Sequence, residues 1–463
     1  MADIWASTTL KLYRGIGSVL YPFTGPFLRV RASKGKEDRS RRGERYGYAS
    51  WERPVGPLVW LHAASVGESL AIMPLIERME SFGINLVLTT GTVTSAGIAE
   101  ERLSARTIHQ YVPLDMKRAV GRFLDHWKPD MAIFAESEIW PTTIQQLALR
   151  NIPQLLINAR MSDRSNRRWL RRKNLAHAIF SQISHVIAQT ETDSERFSAL
   201  GVPRVSVAGN LKNDVAAPEA DPATLKAFAS MVGDRPAWTA VSTHKGEEAM
   251  VGTVHRMLMA HMPGILTVLV PRHPARADEI EKELQAQGLR VVRRSKNETI
   301  KPDTDIFLGD TIGEMGTYLR LSKIAFMGKS VKSQGGQNPI EPALVGSAIL
   351  SGRFVQNFRQ VYQALIDGGG ARLVEDEKML ARQVFHLLRD SDDLNAMTEA
   401  AAKTVASMGG ALERSIAVLD PYIMPLRVKA GLERRGLATT TKPYVLSAGP
   451  AEHEPAPGSS KGS

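Results

Sequence analysis

The stretch PLVWLHAASVGESLAIMPLIERMESFGINLVLTT (57–90) decides the fold class. It holds an apolar run (57–63), a segment with helical spacing (Leu70–Phe82) and a second apolar run (84–90). Short, continuously apolar runs that end in polar residues suit parallel strands buried on both faces. Strand, helix and strand in that order make a βαβ unit. The same grammar continues through MAIFAE (131–136), PQLLINA (153–159) and HVIAQT (185–190), with helical spacing over Lys117–Trp127 and Glu138–Arg150. The expected result is an α/β domain with a doubly wound parallel sheet.

Moving outward, AAPEADPAT (216–224) has no periodicity and reads as a linker. A second series follows it: PAWTAVST (236–243), GILTVLV (264–270), LRVVRR (289–294), TDIFLGD (304–310), KIAFMGK (323–329) and SAILSG (347–352). Helical spacing recurs over Glu247–His261 and Ala275–Gln287. The expected domains are therefore two Rossmann-like units, 36–215 and 225–405, followed by a helical segment over 406–437. The tail 438–463, rich in Thr, Pro, Gly, Ser and Ala, reads as disordered. A chain of 463 residues accommodates this. Two doubly wound domains imply a cleft, because open α/β sheets bind ligands beyond the carboxyl ends of their strands.

The chain has no cysteine, which excludes disulfides, thiolate catalysis and cysteine-ligated metal, and fits a reducing compartment. Its net charge of +11 asks for an acidic partner. All of the excess sits in two clusters, residues 1–53 and 160–173, each at +6, above a near-neutral remainder. The first adjoins an apolar, aromatic start, IWASTTLKLYRGIGSVLYPFTGPFLRV (4–30). Lys11 and Arg14 interrupt that run, and Pro22 and Pro26 break a helix in its second half. Residues 1–35 therefore read as an interfacial membrane anchor, with Trp5, Tyr13, Tyr21, Phe23 and Phe27 at headgroup level and Arg29–Arg45 on anionic lipid. A basic helix packed on its own domain, or a single pass, would also fit.

The loops that follow the strands carry the candidate chemistry. In LHAASVGESLA (61–71), small residues let backbone approach a ligand, and Glu68 opens a helix. Its carboxylate suits a general base or an acid favoured by the helix dipole. The loop TTGTVTSAG (89–97) offers hydroxyls and amides for an anion, or ordinary capping. In AESEIWP (135–141), Glu136 directly after an apolar strand would line the cleft, whereas Glu138 fits a helix-capping acid before Pro141. The second basic cluster, Arg160, Arg164, Arg167, Arg168, Arg171, Arg172 and Lys173, suits a phosphorylated acceptor, a phospholipid surface or a solvated helix. Nucleic acid is set aside, since no RNA-binding motif accompanies it.

In the second half, Ser242, Thr243 and Gly246 of STHKGEE are phosphate-cradle material. Arg272 and His273 of VPRHP end a strand, and Arg suits bidentate phosphate binding. Gly313 and Glu314 lie in GDTIGEMG (309–316), and Glu341 in GGQNPIEP suits a ribose diol. No GxGxxG and no Walker motif occurs at these turns, which argues against NAD and ATP hydrolysis.

In order along the chain, RRGERYG, LHAASVGES, AESEIWP, INARMSDRS, AGNLKND, STHKGEE, VPRHP, GDTIGEM and GGQNPIEP resemble the Kdo (3-deoxy-D-manno-octulosonic acid) transferases of lipopolysaccharide synthesis, a family of the GT-B glycosyltransferase fold. The resemblance runs from residue 41 to about 425. It implies an inverting transfer of Kdo from CMP-Kdo to a lipid A precursor, without a cofactor or metal. It also implies attachment to the cytoplasmic face of the inner membrane through an anionic surface. Glu68 matches the family's proton acceptor, and Glu136 and Lys212 match positions thought to stabilise the transition state. Pro271 and Arg272, then Ile312, Gly313 and Glu314, then Asn338, Pro339, Ile340 and Glu341 match contacts to the CMP part. One departure is visible: Gln337 stands where the family usually has His, and Gln cannot become cationic near neutral pH. Two rivals stay open, another GT-B enzyme such as a nucleotide-sugar epimerase or N-acetylglucosaminyl transferase, and a peripheral scaffold on membrane or RNA.

Overall fold

A computed structural model describes residues 21–436 and Gly15. Most of the expected anchor, including Trp5 and Tyr13, and the whole tail 438–463 lie outside the described residues. Two seven-stranded sheets, parallel throughout, form the frame. The first contains β1 (Leu58–Ala63), β2 (Asn85–Thr90), β3 (Thr107–Tyr111), β4 (Met131–Ala135), β5 (Gln154–Ala159), β6 (His185–Ala188) and β7 (Val205–Val207). Its order is β3-β2-β1-β4-β5-β6-β7. The second contains β8 (Ala237–Thr243), β9 (Leu266–Pro271), β10 (Val291–Arg293), β11 (Ile306–Leu308), β12 (Ile324–Met327), β13 (Ala348–Ser351) and β14 (Ala371–Leu373), in the order β10-β11-β9-β8-β12-β13-β14.

The continuous apolar runs become strands buried on both faces, as β1, β4, β5 and β9 show along their whole length. Helices cover each face, so every sheet has two cores. In the first domain one core gathers Val59, Leu61, Ile72 and Ile76, and the other gathers Trp60, Phe123, Trp127 and Phe180. The strand order reverses between β1 and β4 in one sheet and between β8 and β12 in the other. Those two points are where such sheets open to ligands.

Within the segment expected as a linker, the helix Pro222–Val232 already begins, with Asp221 accepting from Thr224 N as its cap. The helix Ala411–Gly436 then returns to the first domain. It buries Leu419 and Ile423 in the core that holds Ile76 and Met79. Each such side chain contributes about 1.5–3 kcal/mol by leaving water. Arg414 Nε donates to Ala208 O at 2.8 Å, and Lys429 pairs with Asp130 at 2.9 Å, so the chain's end is fastened to the domain where it began. No helix among the described residues is long and apolar enough to cross a membrane. The helix Thr24–Ser33 instead buries Leu28 and exposes Phe27 and Val30, with Phe23 exposed at its N-cap.

Candidate active site

The loop after β1 is short, and Ser65 caps the helix Val66–Ser81 by accepting from Glu68 N. Glu68 answers with both carboxylate oxygens. Oε2 accepts from Ala64 N at 2.8 Å, and Oε1 from Ser65 Oγ at 2.7 Å. This is a variant of the capping box in which the carboxylate reaches past the N-cap Ser65 to the amide of Ala64, so the helix-start reading of Glu68 describes its contacts. It also fixes a half-buried carboxylate at the β1/β4 switch point. The loop 89–97 behaves as a cap too: Thr92 accepts from Ser95 N at 3.1 Å.

Glu136 follows β4 with φ at 56°, a left-handed conformation that costs a residue with a side chain about 1–3 kcal/mol. Its carboxylate is paired with Lys212 Nζ. Lys212 rides on a single turn, Leu211–Asn213, anchored from below by Asn158, whose Oδ1 accepts from Leu211 N at 3.0 Å. Asn158 is itself left-handed at φ 51°, is 2% exposed, and was not marked from sequence. The signal was there: an amide inside the apolar run of β5.

Glu138 does not cap the helix Pro141–Leu149. Asp115 does that, accepting from Thr143 N at 2.7 Å and Thr142 N at 3.1 Å. Glu138 instead accepts from Trp140 Nε1 at 2.6 Å. Burial pushes its carboxyl above the usual range; the Trp140 bond opposes this, and the charges of Glu68 and Glu136 add to it. Three carboxylates thus share one electrostatic neighbourhood. Beneath them lies His62, 1% exposed, with Nδ1 on Thr89 and Nε2 buried without a partner. Burial lowers its pKa to about 4.

Arg160 and the helix Asp163–Leu170 follow β5 on the same edge. Arg160, Arg164, Arg167, Arg168, Arg171, Arg172 and Lys173 are all exposed, and none has a carboxylate partner among the described residues. Asp163, the one acid in the cluster, is taken by Arg196. Trp169 turns inward and meets Phe180 edge-on at 5.2 Å.

On the second sheet, the switch point is tied by a residue that sequence reasoning passed over. Glu247 is fully buried at the start of the helix Glu247–Met259. Its carboxylate accepts from His244 N at 3.0 Å, Lys329 N at 2.6 Å, Ser330 N at 2.9 Å and Val331 N at 3.2 Å. The loops after β8 and β12 are thereby fastened together. Their contact is close: a Cβ at Gly328 would lie 2.5 Å from Ser242 O. Ser242 and Lys329 are both left-handed, at φ 54° and 57°. Thr243 is buried with a hydroxyl that has no partner.

Pro271 ends β9, Arg272 N donates to Thr243 O at 3.0 Å, and the Arg272 and His273 side chains are exposed. Burial raises the Glu341 carboxyl, and the charge of Arg272 opposes that rise, so the two groups are neighbours. Asn338 Oδ1 accepts from Ile340 N at 3.1 Å, shaping the turn through Pro339 that presents Glu341. Gln337 takes the Tyr362 hydroxyl on its backbone carbonyl at 3.1 Å. Glu314 is held by Arg294 at 2.8 Å and by Tyr318 and Thr311, so its carboxylate braces the loop from within. At the tip, Gly313 is left-handed and Ile312 is 89% exposed.

A family model for 3-deoxy-D-manno-octulosonic-acid transferase (kdotransferase) matches residues 40–215. The chain is 34% identical to the 3-deoxy-D-manno-octulosonic acid transferase of Haemophilus influenzae, covering 89% of this chain and 98% of that one. It is 35% identical to that of Bordetella pertussis, covering 80% and 88%. In the fold alone it resembles a glycosyltransferase from Rickettsia africae, with a TM-score of 0.50 at 11% identity, covering 80% of this chain and 99% of that one.

Proposed function

Because the chain belongs to the 3-deoxy-D-manno-octulosonic acid (Kdo) transferase family, we propose that it moves Kdo from CMP-Kdo onto a phosphorylated lipid A precursor. The observation that carries this reading is the arrangement around Glu68. Its carboxylate is fixed at the β1/β4 switch point, and Glu136, on the loop after the neighbouring strand β4, is paired with Lys212 from the turn after β7.

Each Glu68 oxygen accepts one hydrogen bond and keeps a lone pair. An acceptor hydroxyl donates to it and passes its proton there as the new C–O bond forms at the anomeric carbon. The bond from that carbon to the CMP phosphate breaks at the same time, and CMP leaves with the electron pair. A single displacement of this kind inverts the anomeric centre. The charge gathering on the departing phosphate is met by Arg272 and Lys212, and Glu136 keeps Lys212 in place. Glu341 accepts from the ribose, with Asn338 setting its turn. Those cations do the work without a divalent metal, so transfer proceeds in EDTA. Closing the two domains over the reactants excludes water.

The unpaired cations of 160–173 and the exposed stripe Phe23, Phe27 and Val30 hold the enzyme on an anionic membrane at the inner membrane's cytoplasmic face. The test is mass spectrometry of products from CMP-Kdo and a tetra-acylated lipid A precursor. The expected result is acceptor mass raised by one or more Kdo units. Transfer from a UDP-sugar in place of CMP-Kdo would overturn the reading.

A further inference from the structure

Three neighbouring strands of the second sheet, β9, β8 and β12, each deliver a basic residue just past their carboxyl ends: Arg272, His244 and Lys329. The chemistry above uses only Arg272. His244 and Lys329 are tied to one atom, since both backbone amides donate to Oε2 of Glu247, at 3.0 Å and 2.6 Å. Arg272 joins the same row through its own amide, which donates to Thr243 O at 3.0 Å. The roots of the three side chains thus stand side by side at the β8/β12 switch point.

Lys329 is held in an unfavourable conformation. Its backbone is left-handed at φ 57°, which a side chain disfavours and which clusters at functional sites. Its carbonyl accepts from Gly336 N at 2.8 Å, so the main chain is clamped on both sides. The stem runs over Gly335, where a Cβ would lie 3.3 Å from Lys329 Cε. Gly335 is fixed in turn by Gln356 Oε1 at 3.2 Å and Asn357 N at 2.8 Å. The end of Lys329 therefore lies on the turn that leads to Asn338 and Glu341. It is half-buried, and no carboxylate pairs with it among the described residues. Glu247 is not its counter-ion, because that carboxylate is filled by four amides. A half-buried ammonium without a counter-ion favours an anion that arrives with a ligand.

His244 is bonded at one ring nitrogen only. Nδ1 lies 3.1 Å from Ser242 O, a carbonyl that only accepts, so Nδ1 carries the proton. Nε2 keeps a lone pair and has no partner among the described residues. It is free to accept from a hydroxyl.

The donor of the proposed reaction matches this row. An ulosonic acid carries its carboxylate and its phosphate ester on the same anomeric carbon, so the site meets two anions together. Arg272 takes the phosphate from one flank of β8. We infer that Lys329, from the other flank, takes the carboxylate of the donor sugar, and that His244 Nε2 accepts one of that sugar's hydroxyls. The pair then separates an acidic sugar from a neutral one. The inference deepens the proposed function and rests on it for the identity of the donor.

Initial rates give the KM for CMP-Kdo, and calorimetry gives the Kd for CMP, which has the phosphate and lacks the carboxylate. Lys329→Met keeps the stem and drops the charge. Its KM for CMP-Kdo should rise about tenfold or more, with CMP affinity within about twofold of the parent. Lys329→Arg should recover most of that loss. His244→Asn keeps a donor for Ser242 O and lacks Nε2; it should raise KM about threefold or more, again sparing CMP. An unchanged KM in Lys329→Met would overturn the assignment. So would CMP affinity falling in step with KM, since that marks the phosphate as the anion held. If Lys329→Met melts below the parent, Lys329→Gln gives the same comparison. A parent protein that transfers no Kdo would sink the reaction assigned above and this subsite with it. Transfer by the parent, with the same KM in Lys329→Met, would sink the subsite alone.

Discussion

Lys212 and Glu136 lie 76 residues apart in sequence and form an ion pair at the mouth of the first sheet. Neither partner holds its place alone. Glu136 is set by a left-handed backbone after β4, and Lys212 by the turn that Asn158 and Asn210 hold through the amides of Leu211 and Lys212.

A pair that acts as a unit is non-additive. Lys212→Met and Glu136→Gln should each lower kcat by ~10²-fold. The double variant should fall no more than about twofold below the worse single one. Steady-state kinetics of the four proteins measure this, and fully multiplicative losses would separate the roles.

Asn158→Leu keeps the volume and removes the acceptor for Leu211 N. Leaving that buried amide unmade should cost about 1–3 kcal/mol in denaturant unfolding. It should also lower kcat, because the Lys212 turn loses its anchor. A stability loss with unchanged kcat would mean that the turn holds itself.

The buried histidines set an acid limit. His62 has its pKa lowered to about 4, His109 to about 3 and His255 to about 4, each chiefly by burial. Unfolded histidine titrates near 6.5. The unfolded chain therefore binds protons first, and stability falls as pH drops from about 6.5 toward 4. His62→Gln should be the less stable protein at pH 7.5, and its gap to the parent should close by pH 4.5. Thermal melts across that window check this, and a constant gap would contradict it.

On the donor side, Arg272→Lys keeps the charge and loses the fork. CMP affinity measured by calorimetry should fall about tenfold. Glu247→Gln should weaken it as well, because an amide cannot accept the four N–H groups that join the loops after β8 and β12. Unchanged CMP binding in both would place the nucleotide elsewhere.

The longer apolar runs announced their strands because burial on both faces leaves no polar alternation to read. Three strands were missed. β3 and β7 are sheet edges; β3 reads TIHQY, and β7 is half-buried over three residues. β14 is likewise a three-residue edge. The positions of Glu136 and Arg272 at the sheets' mouths were legible because each follows a buried strand directly, and Glu68 because it stands in the first turn of the helix after β1. Asn158 and Glu247 were not, since their partners lie 53 and up to 84 residues away in sequence. Glu138 was misread as a cap for a similar reason: Asp115 reaches that helix from another loop. The charge clusters were visible as counts, but only the fold separates Arg45, bonded inside the domain, from the unpaired cations of 160–173.

In the reaction proposed above, the Glu68 carboxylate takes the acceptor's proton. Glu68→Gln retains the capping-box shape, so the fold and CMP binding should stay intact. Kdo transfer from CMP-Kdo to the lipid A precursor, followed by mass spectrometry, should drop by ~10²–10⁴-fold. Transfer at the parent rate by a folded, CMP-binding Glu68→Gln protein would contradict the account.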